Sequence, residues 1–296
     1  MSKIKNLSIV AVSLILIILT VCGSFFDYDI ARALYIGELP STNLFGISFA
    51  FVGIIPTFVG WSFLGASILA LTKKQVENQT KRRCLIALSA LLFALSFFFF
   101  CNTLMMVNAN AFPVHWAIAY PVGIVILICV AHLGYQLSKR SDNAELLKTV
   151  LFLTIVSLVV MVIIMSTKGI MNRPRFRFVL ESANPDYFRS WWQSGSDLKA
   201  SLSTSAVSDE FSSFPSGHSA YSMFAIFLFP ALADYIPRLR KYKSLLFLCG
   251  FIWWSLTALS RLTVGAHYLT DVCIAGLVTV LSYAIVNVIQ NHNSKN

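Results

Sequence analysis

The chain is predicted to be an all-α polytopic membrane protein, a helix bundle of about eight transmembrane helices. Three observations predict it. Of its 296 residues, 57% are hydrophobic and 12% are charged, with a mean hydropathy of +0.72, too little charge to coat a soluble globule. The apolar residues come in blocks close to the roughly 20 residues that cross a bilayer. The Lys and Arg collect in alternate connections between those blocks.

The first block, 7–23, follows Lys3 and Lys5. A signal peptide has the same layout, but Val21-Cys22-Gly23-Ser24 offers no A-x-A cleavage pattern, so a retained helix is expected. Further spans are expected at 45–71, 84–106, 114–137 and 147–166, and after a long polar segment at 217–235, 244–260 and 267–290. Pro56 is expected to kink the second span or to mark its start. The run Phe97-Phe98-Phe99-Phe100 is lipid-facing or packing bulk. The six cysteines are scattered through apolar stretches with no CxxC, so they count as small buried hydrophobes rather than a disulfide framework or metal site.

Eight spans put both termini on one side, and charge assigns that side. Lys3 and Lys5, Lys73 to Arg83, Lys139 to Lys148, Arg238 to Lys243 and Lys295 make fifteen of the 23 Lys and Arg, all on the face of the termini, which is therefore cytoplasmic. The net charge of +10 then reflects topology, and no nucleic-acid partner is expected. The Asn-x-Ser/Thr matches at Asn6 and Asn78 fall on the cytoplasmic side and are discounted as glycosylation sites.

The polar segment at about 167–215 falls outside. A connection of that length is often functional. Its Tyr187 and Trp191-Trp192 suit a headgroup layer, or packing within the loop, and its Ser-rich stretch at 194–213 is expected to be mobile.

Three polar clusters stand on this same outer face. Lys168-Gly169-Ile170-Met171-Asn172-Arg173-Pro174-Arg175 ends the fifth span. Pro215-Ser216-Gly217-His218 opens the sixth, and Ser260-Arg261 ends the seventh, with His267 and Asp271 opening the eighth. A Ser-Gly pair at a helix start offers outward N–H groups at the positive end of the helix dipole, a seat for phosphate; it also suits a turn that merely starts a helix. Lys168, Arg175 and Arg261 are cations with no matching acidic cluster, and Arg fits phosphate oxygens bidentately. His267 and Asp271 are four apart, so on a helix the carboxylate would fix the imidazole's tautomer.

Charge logic then assigns roles. Lys168, Arg175, Arg261 and the Ser216 and Gly217 amides hold a phosphoryl group. His267 attacks it to give a phosphohistidine, oriented by Asp271. His218 protonates the leaving oxygen and then activates water. No metal or other cofactor is expected, the cations doing the work of a magnesium ion.

The three clusters resemble the signatures of the type 2 phosphatidic acid phosphatase superfamily: Lys-x6-Arg-Pro, Pro-Ser-Gly-His and Ser-Arg-x5-His-x3-Asp. The second and third match in full. The first matches at Lys168 and Arg175, with Phe176 in place of the final Pro, and Arg173-Pro174 makes Arg173 the substitute candidate. The resemblance implies the same roles for the same residues. It also implies a six-helix phosphatase core at 81–296, with two additional N-terminal helices within 1–80.

The activity so expected is hydrolysis of a lipid phosphate or pyrophosphate, of the phosphatidate, phosphatidylglycerol phosphate or undecaprenyl pyrophosphate class. It would occur at the outer face of a cell membrane, with a bacterial inner membrane the expected location. Phosphotransfer to a sugar or lipid alcohol is the alternative. A non-enzymatic anion transporter fits less well, because its charges would sit near the midplane.

Overall fold

The computed structural model describes residues 3–39, 41–110, 116–202 and 209–293. The expected start of the fourth span at residue 114, part of the Ser-rich stretch and Lys295 lie outside them. The described residues form helices and no strand. Among the described residues seven stretches are long and apolar enough to cross a membrane: Leu7–Leu34, Leu44–Gln75, Gln79–Thr103, Tyr120–Arg140, Leu146–Glu181, Pro237–Thr263 and Leu269–His292. This is a polytopic helical bundle.

The helices are α1 (Lys3–Leu34), α2 (Leu44–Val52), α3 (Ile55–Gln75), α4 (Gln79–Asn110), α5 (Trp116–Arg140), α6 (Leu146–Met171), α7 (Phe176–Glu181), α8 (Ser196–Ser201), α9 (Gly217–Met223), α10 (Ala225–Tyr235), α11 (Lys243–Thr263) and α12 (Leu269–Asn293). The segment expected as one span at 217–235 is two shorter helices, α9 and α10, parted at Phe224. The Ser222 hydroxyl donates to the Ser219 carbonyl at 3.2 Å, a back-bond that competes with the helical ladder. Pro56 falls in the first turn of α3, where its missing N–H has no partner to lose, so it marks a start and makes no kink. Part of the Ser-rich stretch is ordered, as α8 and a 3-10 turn at Asp209–Phe211.

The chain divides into two compact units. One comprises Met1–Ala50, Leu158–Met223 and Trp254–Asn296. In it α1 lies along α12, and a Cβ on Gly23 of α1 would meet the Thr270 methyl at 2.9 Å. Polar links bind α9 to its neighbours: Ser219 Oγ donates to the Val272 carbonyl at 2.6 Å, Trp254 Nε1 to Ser219 Oγ at 2.7 Å, and Thr279 Oγ1 to the Ala220 carbonyl at 3.0 Å. In an apolar medium such groups hold helices together because no water competes for them. Phe176 is fully buried against Ala31, with the rings of Tyr28, Tyr35 and Tyr268 edge-on at 5.6, 5.7 and 6.1 Å.

The other unit comprises Phe51–Ser157 and Phe224–Trp253. Here α3, with 15 of its 21 residues buried, packs against α4 and α5. Small residues let the backbones approach: Ser89 Oγ donates to the Gly65 carbonyl at 2.7 Å and Ser96 Oγ to the Phe58 carbonyl at 2.6 Å. The four-phenylalanine run splits its duties. Phe97 and Phe98 are exposed on the apolar flank, Phe99 stacks on Phe58 at 5.0 Å, and Phe100 is buried with Val59 and Leu127.

Candidate active site

All of the expected site residues belong to the first unit, and local backbone chemistry delivers each. At the end of α6, Asn172 adopts φ 42°, the left-handed conformation that closes helices, and Pro174 forbids continuation. The chain then runs beside 210–213: Arg175 N–H donates to the Glu210 carbonyl at 2.8 Å, and Ser213 N–H to the Arg173 carbonyl at 3.0 Å. At the end of α11, Gly265 N–H donates to the Leu262 carbonyl at 3.0 Å and Ala266 N–H to the Arg261 carbonyl at 3.1 Å. That is the Schellman pattern, and it needs φ near +60° at its glycine; Gly265 has φ 63°. The reversal sets Arg261 and His267 on either side of one turn.

His267 stands two residues before α12, so it does not share a helical face with Asp271 as the four-residue spacing suggested. Its Nδ1 lies 2.6 Å from the Ser213 carbonyl and 3.8 Å from Asp271 Oδ2. A carbonyl only accepts, so Nδ1 carries the proton and Nε2 keeps its lone pair. Burial, with the Lys168 ammonium nearby, holds this imidazole well below the ordinary histidine range, and it is neutral at pH 7. Asp271 is fully buried and reaches His267 partly through Ser213, whose hydroxyl donates to Asp271 Oδ2 at 2.6 Å.

His218 and Arg261 meet on α2. His218 Nε2 lies 3.0 Å from the Ala50 carbonyl and Arg261 Nη2 donates to the Gly46 carbonyl at 2.6 Å. These acceptors are four residues apart, about 6 Å along a helix, so the two donors sit side by side. Asn43 caps α2 by accepting the Gly46 N–H at 2.8 Å.

Ser216 does more to start α9 than was expected of a phosphate seat. Its Oγ accepts the Ser219 N–H at 3.3 Å and its own N–H donates to the Asp271 carbonyl at 3.1 Å, the pattern of a helix cap. The N–H groups left at this helix start are those of Gly217 and His218, the first two of α9, which have no acceptor within the helix. A Cβ on Gly217 would lie 3.8 Å from Lys168 Cε, so the Lys168 stem crosses this helix start. Its Nζ donates to the Ser212 carbonyl.

The two arginines of the first cluster separate cleanly. Arg175 Nη2 donates to the exposed Asp209 carboxylate at 3.0 Å, and its buried Nε has no partner among the described residues. Arg173 is fully buried and committed. Its Nε donates to the Arg189 carbonyl at 2.8 Å, Nη1 to Asp271 Oδ1 at 2.6 Å, and Nη2 to Asp27 Oδ2 at 2.9 Å. It cannot serve as the substitute for Arg175. Phe176, in place of the family proline, docks α1 through its tyrosine cluster.

A family model described as the PAP2 superfamily matches residues 146–295. The chain belongs to the PAP2 superfamily. Members of this superfamily are generally phosphatases, so membership points to phosphatase activity on phosphate esters in this multi-pass membrane protein. No match was found among curated proteins or among solved structures. Among the described residues no group of three or more His, Cys, Asp and Glu is placed to hold a metal ion.

Beyond the PAP2 motifs the arrangement recruits Ser213, Thr270 and Asp27, which motif reasoning passed over. Asp27 had a signal of its own, since a carboxylate inside an apolar span is costly unless it has a purpose. Trp191 settles into packing, donating to Ser24 Oγ at 2.9 Å and stacking on Phe214, while Trp192 remains exposed.

Proposed function

We propose that this PAP2 protein hydrolyses a lipid phosphate or pyrophosphate through a phosphohistidine on His267, at the extracytoplasmic face. The observation that carries the reading is the convergence of three clusters distant in sequence. Lys168 crosses the start of α9 at Gly217, the backbone of 213–216 holds both His267 and Asp271, and α2 sets His218 beside Arg261.

In this reading His267 Nε2 forms the bond to phosphorus as the ester oxygen departs with its electron pair. That oxygen takes the Nε2 proton of His218, held as imidazolium by the charge of the bound phosphate and left as neutral imidazole. Water then surrenders a proton to His218, attacks phosphorus and releases His267. Lys168, Arg175 and Arg261 carry the charge of the equatorial oxygens, with the amides of Gly217 and His218, so no metal is required. Their present partners are carbonyls, the Ser260 hydroxyl and one exposed carboxylate, which a phosphate dianion would displace.

A lipid substrate is favoured because Lys168 and Arg261 stand near the ends of the long apolar helices α6 and α11. The phosphatase core is assigned to 81–296, with the spans of 1–80 as an addition.

The test uses full-length protein in detergent with phosphatidate, phosphatidylglycerol phosphate and undecaprenyl pyrophosphate, in EDTA. Phosphate release is expected from at least one of them, and none from His267→Ala. Full activity of that variant would remove His267 as nucleophile, and sensitivity to EDTA would remove the metal-free cradle.

A further inference from the structure

Asp27 lies on α1, far outside the segment that the PAP2 model covers and outside all three motifs. It is 5% exposed, and Arg173 and Asp271 beside it are fully buried. We propose that Asp27 is a positioning residue for His267, acting from α1 on the first turn of α12 and on Arg173. The inference rests on the nucleophilic role given to His267 above.

The first line of action is a helix cap supplied by another helix. The first N–H groups of α12 have no partners within it. A Ser, Thr, Asp or Asn just before the helix would normally accept one of them, but that position is Tyr268. Asp271, the third helical residue, reaches back to accept the Tyr268 N–H at 2.8 Å, which is one half of a capping box. The other half comes from α1. Asp27 Oδ1 accepts the Thr270 N–H at 3.0 Å, and Oδ2 accepts the Thr270 hydroxyl. His267 directly precedes Tyr268, so Asp27 fixes the turn that carries it. The close contact of Gly23 with Thr270 brings α1 within reach.

The second line runs through charge. The Arg173 guanidinium bridges Asp27 and Asp271, at 2.9 and 2.6 Å, with the Tyr268 ring 4.1 Å from its central carbon. Arg173 occupies Oδ1 of Asp271 and leaves Oδ2 to face Ser213, the Tyr268 N–H and His267. Without the Asp27 charge Arg173 is released on one side, and the orientation of the Asp271 carboxylate loosens with it.

The experiment compares Asp27→Asn, which removes the charge but keeps an oxygen for Thr270, with Asp27→Glu and with Asp29→Asn, an exposed neighbour on α1. Full-length proteins in detergent are assayed for kcat and KM on whichever of the three lipids the unaltered protein hydrolyses, presented in mixed micelles, and their melting midpoints are recorded. Asp27→Asn is expected to lose about 100-fold in kcat with KM nearly unchanged, Asp27→Glu to recover part of the loss, and Asp29→Asn to match the unaltered protein. If Asp27→Asn does not fold, the same split of kcat from KM is expected, smaller, in Asp27→Glu. Unchanged kcat in Asp27→Asn overturns the inference. So does a fall of kcat only in proportion to folded protein in both variants. His267→Ala runs alongside. Its full activity would remove the proposed chemistry and this inference with it, whereas an inactive His267→Ala beside a fully active Asp27→Asn removes this inference alone.

Discussion

The main-chain carbonyl of Ser213 holds Nδ1 of His267 at 2.6 Å. A backbone atom thus aims the imidazole, and the nearby carboxylate of Asp271 comes second. Because Ser213 also donates its hydroxyl to Asp271, one residue ties the ring and its counter-charge together. Ser213→Ala keeps the carbonyl and deletes the hydroxyl. It should lower kcat by roughly ten- to a hundredfold and leave KM nearly unchanged. Steady-state kinetics check this, and an unaltered kcat would make the hydroxyl bystander packing.

Arg175 and Arg173 should fail in opposite ways. Arg175→Ala removes a largely buried cation tied to one exposed carboxylate, so KM should rise roughly tenfold or more with a near-normal melting midpoint. Arg173→Ala strips a buried bridge from two carboxylates and should cost about 3–5 kcal/mol, seen as a lost or sharply lowered melting transition. Kinetics and thermal unfolding on the same pair decide it.

Gly265→Ala should be disproportionately harmful for a single methyl. The left-handed backbone alone costs about 1–2 kcal/mol, and the new Cβ would meet the Tyr35 ring at 2.9 Å and Arg177 Cβ at 3.1 Å. The turn that separates Arg261 from His267 must shift, so activity should fall further than stability. Melting midpoints and kcat, compared with those of an alanine at exposed Gly169, would show it.

Acid should weaken the fold through His267. Its folded-state pKa lies well below the ordinary value because of burial, while in the unfolded chain it titrates near pH 6.5, roughly. Below that pH the unfolded state binds the extra proton, so stability present at neutral pH drains away as pH falls. Between pH 7 and 5 the melting midpoint of His267→Gln should decline less than that of the unaltered protein. Parallel declines would refute the buried neutral imidazole.

Much of the bundle was legible because a bilayer demands long apolar runs and leaves polar residues nowhere to hide. The three motif clusters stood out for that reason, at the ends of apolar helices. What escaped was whatever depended on partners far apart in the chain. Asp27 lies 146 positions from Arg173, and nothing local announces the pair. The four-residue spacing of His267 and Asp271 suggested a helical face, yet α12 begins only at Leu269, with Tyr268 at its cap position and His267 before it. Ser216 looked like an anion seat, and its hydroxyl caps a helix; composition cannot separate those uses, since both call for a small polar residue at a helix start.

The carbonyls of Gly46 and Ala50 that receive Arg261 and His218 make homology a poor guide to the smallest working piece. A fragment begun at residue 146, where the family match begins, would carry every motif residue and still be crippled. Two of its key donors would lose their acceptors, Thr270 its cap and Arg173 half its counter-charge. Descent draws one boundary through this gene and hydrogen bonding draws another. Anyone trimming it for crystallisation or grafting its chemistry elsewhere should cut along the second.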